Sequence, residues 1–270
     1  MILQHYYLDG SPRLAVRTAE GVFDAGGTTL AEVLAGTAPA PTGDALDESS
    51  LRLAPSVPAP GKIVCVGLNY RKHAAETGQP VPEHPVLFSK FGNALAAAGQ
   101  DIPIPAVTAQ VDYEAELVVV IGRAARDVSE GDALDHVWGY TNGNDVSARD
   151  LQFQSSQWML GKTLDSFAPI GPWLVSRDEV GDLASAPIQT WVNGDERQSS
   201  RIGDLIFGVP ELVSFISRHI PLEPGDIIFT GTPEGVASGR PDKPWLKPGD
   251  TVEVAVGPLG KLVNRMVATR

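Results

Sequence analysis

Apolar and polar positions alternate along the chain in short runs that predict many strands and few helices. Residues 2–8 and 14–18 have the pattern of two strands joined by the turn Asp-Gly-Ser-Pro at 9–12. Residues 63–68 form an apolar run that predicts a buried strand, and residues 69–78 predict a short helix that ends at a glycine. Because strand signals outnumber helix signals, the pattern favours a mixed, mostly antiparallel β core.

The rest of the chain continues this pattern. Further strands are predicted at 86–90, 112–121 and 137–145, followed by a helix or an irregular segment at 148–160. The pair Asn193-Gly194 lies between strand-like flanks and predicts a type I′ hairpin. An amphipathic helix is predicted at 210–219, with a proline near its first turn.

Proline and small residues indicate a boundary near residue 58. Residues 37–60 are rich in both, and 54–61 (APSVPAPG) has the composition of a linker. We therefore predict a small β-rich N-terminal domain with its linker at 1–58, and a larger domain at 59–270. Within the first, Thr29-x-x-Glu32 has the spacing of a capping box for a short helix.

Composition and charge exclude several classes of protein. The 270 residues include 21 Lys and Arg and 33 Asp and Glu, which gives a net charge of −12. An acidic surface argues against nucleic acid or an anionic membrane as the main partner. The single cysteine, Cys65, excludes an intramolecular disulfide and a cysteine-based zinc site. No signal-peptide pattern opens the chain, and its longest aliphatic run, 117–121, is far shorter than the ~20 residues that span a bilayer, so we expect a cytoplasmic protein.

Three acidic residues alternate at the start of one predicted strand. Asp112, Glu114 and Glu116 have period 2, which predicts that they share one face, about 6.5–7 Å apart. The strand continues as the apolar run 117–121, which predicts burial on both faces. Carboxylates at the head of a buried strand repel one another and lose hydration, so a cation is expected beside them. Two interpretations stay open here: a solvated strand end, or a divalent metal site with Glu114 and Glu116 as ligands.

A further acidic residue would complete such a site. Asp145 ends the predicted strand 137–145, although an acid in this position is also typical of a turn or a helix N-cap. Three carboxylates form an all-oxygen site that suits Mg²⁺, Mn²⁺ or Ca²⁺ rather than zinc or copper. A substrate carboxylate would then need a cation of its own. Lys162 is a candidate for that cation, and the alternative is an exposed lysine without a role.

His73 and Glu76 are a candidate for a general base. Their i, i+3 spacing on the predicted helix 69–78 places both side chains on one face. A carboxylate beside an imidazole orients the ring and raises its pKa, which suits a base that takes a proton from water. The alternative is a surface pair that stabilises the helix by about 0.2–0.5 kcal/mol.

Taken together, these segments resemble the fumarylacetoacetate hydrolase family. The similarity is carried, in order, by VGLNYRKHAAE at 66–76, DYEAELVVVIG at 112–122, GYTNGNDVSARDLQ at 139–152, GKTLDSFAPIGPWLV at 161–175 and LEPGDIIFTGTPEGV at 222–236. It extends over most of the predicted larger domain. The resemblance implies an α+β fold that is mainly β, a mixed β-roll with few helices, usually built as a homodimer.

The resemblance also implies roles for the two groups of candidate residues. Glu114, Glu116 and Asp145 match the three carboxylates that hold Mg²⁺ or Mn²⁺ in the family, with Ca²⁺ as a substitute. His73 and Glu76 match the pair that activates water, on a segment that often covers the active site.

Further residues match positions around the substrate. Lys162 matches the lysine that stabilises the substrate's carboxylate or enolate, Arg149 and Gln152 match substrate-pocket positions, and Thr232 matches a residue near the metal-bound substrate. In the pattern of the fumarylacetoacetate-cleaving enzymes, a fourth acidic metal ligand occupies the position that matches Val66 of this chain. Their histidine is supported by a distant glutamate rather than by one in the same helix. Both departures resemble the smaller bacterial and mitochondrial branch of the family.

The function predicted from this resemblance is metal-dependent cleavage of a C–C bond in a 2,4-diketo acid of the acylpyruvate type, which yields pyruvate and a carboxylic acid. The smaller branch also includes oxaloacetate decarboxylases and enzymes that isomerise or decarboxylate 2-hydroxyhepta-2,4-diene-1,7-dioate. Decarboxylation or a 1,3-proton shift at the same site is therefore an alternative. A more distant alternative is a non-catalytic, metal-stabilised protein that binds small acids. The expected partners are a small anionic 2-oxo acid and a second copy of the chain.

Overall fold

The computed structural model describes residues 1–269, which form two main sheets bordered by short helices. The strands are β1 (Ile2–Leu8), β2 (Ser11–Thr18), β3 (Gly21–Asp24), β4 (Ile63–Gly67), β5 (Val86–Lys90), β6 (Leu95–Ala97), β7 (Ile102–Ile104), β8 (Val111–Asp112), β9 (Ala115–Ile121), β10 (Val137–Asn144), β11 (Ser147–Ala148), β12 (Ala168–Ser176), β13 (Pro187–Val192), β14 (Asp195–Arg201), β15 (Ile227–Phe229), β16 (Thr251–Val256) and β17 (Lys261–Ala268). The helices are α1 (Leu30–Leu34), α2 (Arg71–Glu76), α3 (Glu130–Ala133), α4 (Arg149–Gln152), α5 (Met159–Lys162), α6 (Arg177–Val180) and α7 (Val209–His219).

Ten strands form one large sheet in the order β3-β2-β1-β12-β10-β9-β15-β4-β5, with β6 paired to β12. Its neighbours are antiparallel except for β15 with β4 and β12 with β6. Five strands form a second sheet in the order β14-β13-β16-β17-β7, and β8 and β11 form a two-stranded ladder. The predicted α+β fold, mainly β and mostly antiparallel, is confirmed.

Strand β9 lies at the centre of the core and is buried along its whole length. Leu117, Val119 and Ile121 pack in the cluster that includes the second sheet, whereas Val118 and Val120 pack in the cluster that includes β1 and β2. The predicted burial on both faces is confirmed. A strand that is covered on both faces must be apolar throughout, which explains the unbroken apolar run. Burying each such side chain contributes about 1.5–3 kcal/mol, so the core fixes β9 and the acidic residues at its head.

Several other predicted elements are confirmed with small changes at their ends. The strand predicted at 86–90 is β5, and the amphipathic helix predicted at 210–219 is α7. The Asn193-Gly194 turn joins β13 to β14, with φ angles of 54° and 87° at its two residues. Positive φ at both central residues is the requirement of a type I′ turn, which explains the Asn-Gly pair.

The strand predicted at 112–121 is wrong at its start, because the chain leaves the sheet between β8 and β9. Three successive backbone N–H groups donate there to side-chain oxygens at 2.9 Å: Tyr113 to Asp112 Oδ1, Glu114 to Asn144 Oδ1 and Ala115 to Gln198 Oε1. These bonds replace a strand ladder, so the period of 2 does not hold across the break. The prediction that Asp112, Glu114 and Glu116 alternate along one continuous strand is therefore wrong, and Asp112 is not among the acids whose oxygens converge within 4.8 Å.

The segment predicted as helical or irregular at 148–160 contains both kinds of structure. Two single-turn helices, α4 and α5, are separated by an exposed stretch at 153–157. A Cβ on Gly161 would lie 2.5 Å from the carbonyl oxygen of Ala148, so glycine allows α5 to pack against the start of α4. This packing brings Lys162, the last residue of α5, beneath the edge of the sheet.

The N-terminal strands extend the large sheet. β1 pairs with β12 through Ile2 and Val175, and Thr29 and Glu32 form the predicted capping box at α1. A separate N-terminal domain at 1–58 stays a prediction, as do the homodimer and the cytoplasmic location. Among residues 1–269, no helix is long and apolar enough to cross a membrane.

Candidate active site

Three strands that run in one direction end at the same edge of the large sheet. β10 and β15 are antiparallel to β9, and β4 is parallel to β15, so their carboxyl ends lie beside the amino end of β9. Asp145 follows β10, Gly231 follows β15 and His73 on α2 follows β4. Glu114 directly precedes β9, and Glu116 is the second residue of β9. The topology thus gathers at one edge candidate residues that are far apart in the sequence.

The register of β9 and β10 assembles the three predicted carboxylates. Gly143 pairs with Glu116, and the Asp145 N–H donates to the Glu114 carbonyl at 2.9 Å. One carboxylate oxygen of each of the three acids lies within 4.8 Å of the others, and all three side chains are buried. The structure therefore brings together the three acids that the sequence analysis proposed as metal ligands.

Burial and mutual repulsion dominate the electrostatics of this triad. Burial, reinforced by the negative charges of Asp145 and Glu114, raises the pKa of Glu116 well above its ordinary value. The backbone N–H of Gly231 donates to Glu116 Oε2 at 2.7 Å and partly offsets this effect. Among residues 1–269, no lysine or arginine forms an ion pair with Glu116, and the charge of Lys162 offsets its shift only in part, so a bound cation would stabilise the ionised form.

Lys162 supplies positive charge to the other two acids. Its Nζ donates to Glu114 Oε2 at 2.6 Å and to Asp145 Oδ2 at 2.7 Å. Burial alone would raise the pKa of Glu114, but Arg149 and Lys162 together hold it well below its ordinary value. Burial alone would lower the pKa of Lys162, but Asp145 and Glu114 raise it, so its ammonium is charged at neutral pH. The alternative of an exposed lysine is wrong, because Lys162 is buried.

A second buried lysine, which the sequence analysis did not identify, lies behind Asp145. Lys90 Nζ is 2.6 Å from Asp145 Oδ1, but it also donates to the backbone carbonyls of Val146, Lys162 and Phe167. An ammonium has three protons, and these three carbonyls use them all. Asp145 Oδ1 is accordingly left without a hydrogen-bond donor among the described residues, although the lysine charge lies beside it.

The guanidinium of Arg149 is engaged with protein groups in this structure. Its Nε donates to Asp112 Oδ2 at 2.9 Å, its Nη2 to Glu114 Oε1 at 2.6 Å and its Nη1 to Gln152 Oε1 at 2.9 Å. The fork of donors thus fixes one proposed metal ligand in place. That Arg149 and Gln152 bind substrate stays a prediction.

His73 and Glu76 form the predicted pair on α2. His73 Nδ1 lies 2.8 Å from Glu76 Oε1, and His73 Nε2 lies 4.0 Å from Glu114 Oε1. A carboxylate accepts hydrogen bonds, so Nδ1 carries the proton in the neutral ring and Nε2 presents a lone pair toward the acids. The second oxygen of Glu76 accepts from the backbone N–H of Gly235 at 2.9 Å, which ties α2 to the loop after β15.

Thr232 lies on the same loop and is buried. Its hydroxyl accepts a hydrogen bond from Gln198 Nε2 at 2.8 Å, and Gln198 also donates to the carbonyl of Pro233 at 2.8 Å. The amide of Gln198 thereby holds the loop over the start of β9, where its oxygen receives the N–H of Ala115.

A cavity of about 280 Å³ connects these groups. It is lined by every residue proposed for the site except Glu76, and Phe88, Phe153 and Trp158 supply an aromatic wall. Its volume lies near the lower end of the range for small-molecule sites, about 300–1,000 Å³. A larger cleft of about 500 Å³ beside His5 and Arg13 contains none of the proposed residues, so we assign the chemistry to the smaller cavity.

The chemistry of the donor set fits a hard divalent cation. Three buried carboxylates offer only oxygen ligands, which suits Mg²⁺ or Mn²⁺. Among residues 1–269 no hydrogen-bond donor is directed at Asp145 Oδ1, and burial beside two other acids disfavours the ionised form of Glu116, which a cation would stabilise. Glu114, Glu116 and Asp145 are thus the residues that would hold the metal.

Sequence reasoning did not find several residues that shape this site. Lys90, Gln198 and Gly231 contact the proposed ligands or their backbone, and each is remote in sequence from the acids it supports. A lysine at the end of an apolar strand was the one available signal for Lys90. The need for a glycine at position 231 is visible only in the folded chain, where a Cβ would lie 2.7 Å from the Asn69 Cβ.

Comparison with known proteins agrees with the fold and the site. The family model described as fumarylacetoacetate (FAA) hydrolase C-terminal matches residues 62–267. The chain therefore belongs to the fumarylacetoacetate hydrolase family and is an enzyme of that superfamily. The family resemblance inferred from the sequence is confirmed.

Three similar proteins carry names that describe three different activities. Oxaloacetate tautomerase YisK of Bacillus subtilis is 42% identical over 81% of this chain and 74% of the relative. The structure of 5-carboxymethyl-2-hydroxymuconate delta-isomerase from Mycobacterium smegmatis matches with a TM-score of 0.83 and 34% identity over 100% of both chains. Fumarylpyruvate hydrolase from Pseudomonas aeruginosa, solved in complex with Mn²⁺ and pyruvate, matches with a TM-score of 0.72 and 38% identity over 82% of this chain and 94% of that one.

Proposed function

We propose that this enzyme catalyses metal-dependent proton transfer between the keto and enol forms of a small 2-oxo acid of the oxaloacetate class. The observation that carries the proposal is the position of His73, whose Nε2 faces the carboxylate cluster 4.0 Å from Glu114 while Nδ1 is held by Glu76. The similarity to an oxaloacetate tautomerase supports this 1,3-proton shift, an alternative in the sequence analysis, better than it supports acylpyruvate hydrolysis.

The metal, when bound by the three acids, would act as a Lewis acid on the 2-oxo group and make the neighbouring C–H more acidic. His73 Nε2 takes a proton from C3, the C–H electron pair forms the C2–C3 double bond, and the electrons of the C2=O double bond pass to the oxygen. The imidazolium then gives its proton to that oxygen through solvent water, which completes the enol and restores the neutral ring. In the reverse direction the imidazolium returns the proton to C3. Glu76 stabilises the imidazolium between these steps and keeps the ring oriented.

Lys162 is placed to act on the substrate oxygen. Its ammonium bonds to Glu114 and Asp145, the same carboxylates that a metal would use. With a metal held by those carboxylates, the Lys162 ammonium would be bound less tightly by them, and its protons would be free to donate to the negative charge that develops on the substrate. Stabilisation of that charge is the largest expected contribution, since loss of one such contact typically costs about 10²–10³ in rate.

The second candidate is hydrolysis of a 2,4-diketo acid, the main function predicted from the sequence. The similarity to a fumarylpyruvate hydrolase favours it, and the same His73–Glu76 pair would deprotonate water instead of a carbon acid. Tautomerisation uses the base on the substrate itself and needs no attacking water.

One assay separates the two candidates. The decay of enol-oxaloacetate is followed by its ultraviolet absorbance with Mg²⁺ or Mn²⁺, with and without a chelator, and pyruvate release is measured in parallel from oxaloacetate and acetylpyruvate. We expect chelator-sensitive acceleration of enol decay without pyruvate release. Pyruvate from acetylpyruvate would establish the hydrolase, and pyruvate from oxaloacetate formed faster than with the metal ion alone would establish a decarboxylase. No acceleration of enol decay contradicts the proposed tautomerase.

A further inference from the structure

Asp112 is a fully buried carboxylate with four hydrogen-bond donors. Its Oδ1 accepts from the backbone N–H groups of Tyr113 at 2.9 Å and Ala237 at 2.7 Å. Its Oδ2 accepts from the backbone N–H of Ser238 at 3.0 Å and from Arg149 Nε at 2.9 Å. Asp112 does not line the cavity, so it has no direct access to a substrate.

Two routes connect Asp112 to the site, one through a side chain and one through the backbone of a loop. The first passes through Arg149, whose Nη2 donates to Glu114 Oε1 at 2.6 Å. The second passes through the loop 231–238, whose Gly235 N–H donates to Glu76 Oε2 at 2.9 Å. One buried charge therefore supports both a proposed metal ligand and the partner of the proposed base.

We propose that Asp112 is a positioning residue that sets the metal carboxylates and the His73–Glu76 pair in a common geometry. It acts through Arg149 on one side and through the backbone of 231–238 on the other. The inference rests on the proposed function, since that function gives Glu114 and Glu76 their roles. This positioning role explains why an acid is needed at the break between β8 and β9, although Asp112 contacts neither metal nor substrate.

Replacing Asp112 with asparagine has a predictable direction. The guanidinium of Arg149 is held between the carboxylates of Asp112 and Glu114. In Asp112→Asn it loses the charged partner on one side, so it fixes the Glu114 carboxylate less well for a metal. The NH₂ group of the asparagine is a donor where the carboxylate oxygen was an acceptor. It therefore faces other donors and leaves backbone N–H groups of the loop 231–238 without an acceptor.

The test measures the metal-free and metal-bound protein without substrate. Mn²⁺ affinity is measured by electron paramagnetic resonance of the free ion, and hydrogen–deuterium exchange is measured on the metal-free chain. We expect Asp112→Asn to bind Mn²⁺ about 10–100-fold more weakly, as is typical when an outer partner of a metal ligand is lost. We also expect faster exchange confined to Arg71–Glu76 and 231–238.

Asp226 provides a matched control. It is equally buried, accepts backbone N–H groups of Lys62 and Glu223 at 2.7 Å each, and lies at the opposite edge of the sheet, before β15. Asp226→Asn should lower the melting temperature without weakening Mn²⁺ binding and without faster exchange at 231–238. Equal effects of the two variants on Mn²⁺ affinity would make Asp112 a general structural residue and overturn the inference.

A second variant, Arg149→Lys, tests the route through Arg149 separately from the route through the loop. It also replaces Asp112→Asn as the test if that variant does not fold. Arg149→Lys removes the fork that joins Asp112 to Glu114 but leaves the loop N–H groups on Asp112. It should weaken Mn²⁺ binding with no faster exchange at 231–238. Unchanged Mn²⁺ affinity in Arg149→Lys overturns the link to Glu114. A wild-type protein that does not bind Mn²⁺ contradicts the proposed function itself and, with it, this inference.

Discussion

Lys90 Nζ lies 2.6 Å from Asp145 Oδ1 in a fully buried environment, yet its protons go to three backbone carbonyls. Burial lowers the pKa of Lys90, and the negative charge of Asp145 counteracts the shift. The lysine therefore serves two purposes: its charge compensates an acid of the proposed metal site, and its protons join three backbone segments around that acid.

Removing this charge should be strongly destabilising. In Lys90→Met, three carbonyls and one carboxylate lose their partner, so we expect the free energy of unfolding to fall by about 3–5 kcal/mol. Urea denaturation measures the loss. The exposed Lys247, replaced in the same way, should change stability by no more than about 0.5 kcal/mol. Similar midpoints for both variants would mean that Lys90 does not hold the site together.

Glu116→Gln should affect the metal-free and the metal-bound protein in opposite ways. Burial, together with the charges of Asp145 and Glu114, makes Glu116 costly to ionise, and a neutral amide of the same shape removes that cost, so the metal-free protein should melt about 2–4 °C higher. The same change should abolish stabilisation by Mn²⁺ and abolish turnover. Thermal scans with and without Mn²⁺ measure both effects, with exposed Glu223→Gln as the control. Normal metal-dependent activity in Glu116→Gln contradicts the metal assignment.

His73→Asn should remove the base without disturbing the metal ligands. We expect kcat to fall about 10²–10⁴-fold, the usual contribution of general acid–base catalysis, with Mn²⁺ affinity unchanged. Glu76→Gln should cause a smaller loss in kcat, because it leaves the ring present but poorly oriented. Exposed His84→Asn is the matched control and should keep full activity. Full activity in His73→Asn would assign proton transfer to another group.

Gly239→Ala should disturb the carboxylate partner of the base. A Cβ on Gly239 would lie 2.5 Å from the Glu76 carboxyl group, so the carboxylate must leave the position in which it bonds to His73 Nδ1. We expect a loss of kcat like that of Glu76→Gln, with unchanged Mn²⁺ affinity. Gly92→Ala is the control, because its Cβ would meet no atom within 4 Å. Steady-state kinetics of both variants check the expectation, and a kcat for Gly239→Ala equal to that of Gly92→Ala would rule it out.

His5 should make stability depend on pH outside the site. Burial lowers the pKa of His5 to about 4, although the ring also bonds to the Ser56 carbonyl at 2.9 Å. The unfolded chain binds a proton below its ordinary pKa of about 6.5, whereas the folded chain does so only below about 4. This contribution is therefore fully present above pH ~6.5 and is lost as the pH falls toward ~4, by about 3 kcal/mol in total.

His5→Asn provides the comparison, because its amide keeps a donor for the carbonyl of Ser56 and does not titrate. Denaturant unfolding at neutral pH and near pH ~4.5 should show a larger loss for the wild type than for the variant. Equal losses would show that His5 does not contribute to the acid sensitivity of the fold.

The sequence by itself determined the features that depend on local spacing. The apolar run after Glu116 indicated a strand buried on both faces, and the i, i+3 spacing of His73 and Glu76 indicated a contact that the helix makes without help from the rest of the chain. The acids were recognised as candidates because buried like charges need a cation.

Tertiary structure decided which distant groups complete the site. The register of β9 against β10 places Asp145 beside Glu114, and the parallel course of β4 and β15 brings His73 to the same edge. The sequence pattern placed Asp112 on one strand with the other acids, but side-chain oxygens replace the ladder after it, and Asp112 lies outside the cavity, behind Arg149. Periodicity predicts a face only while the strand is continuous, and whether it continues depends on partners contributed by remote segments.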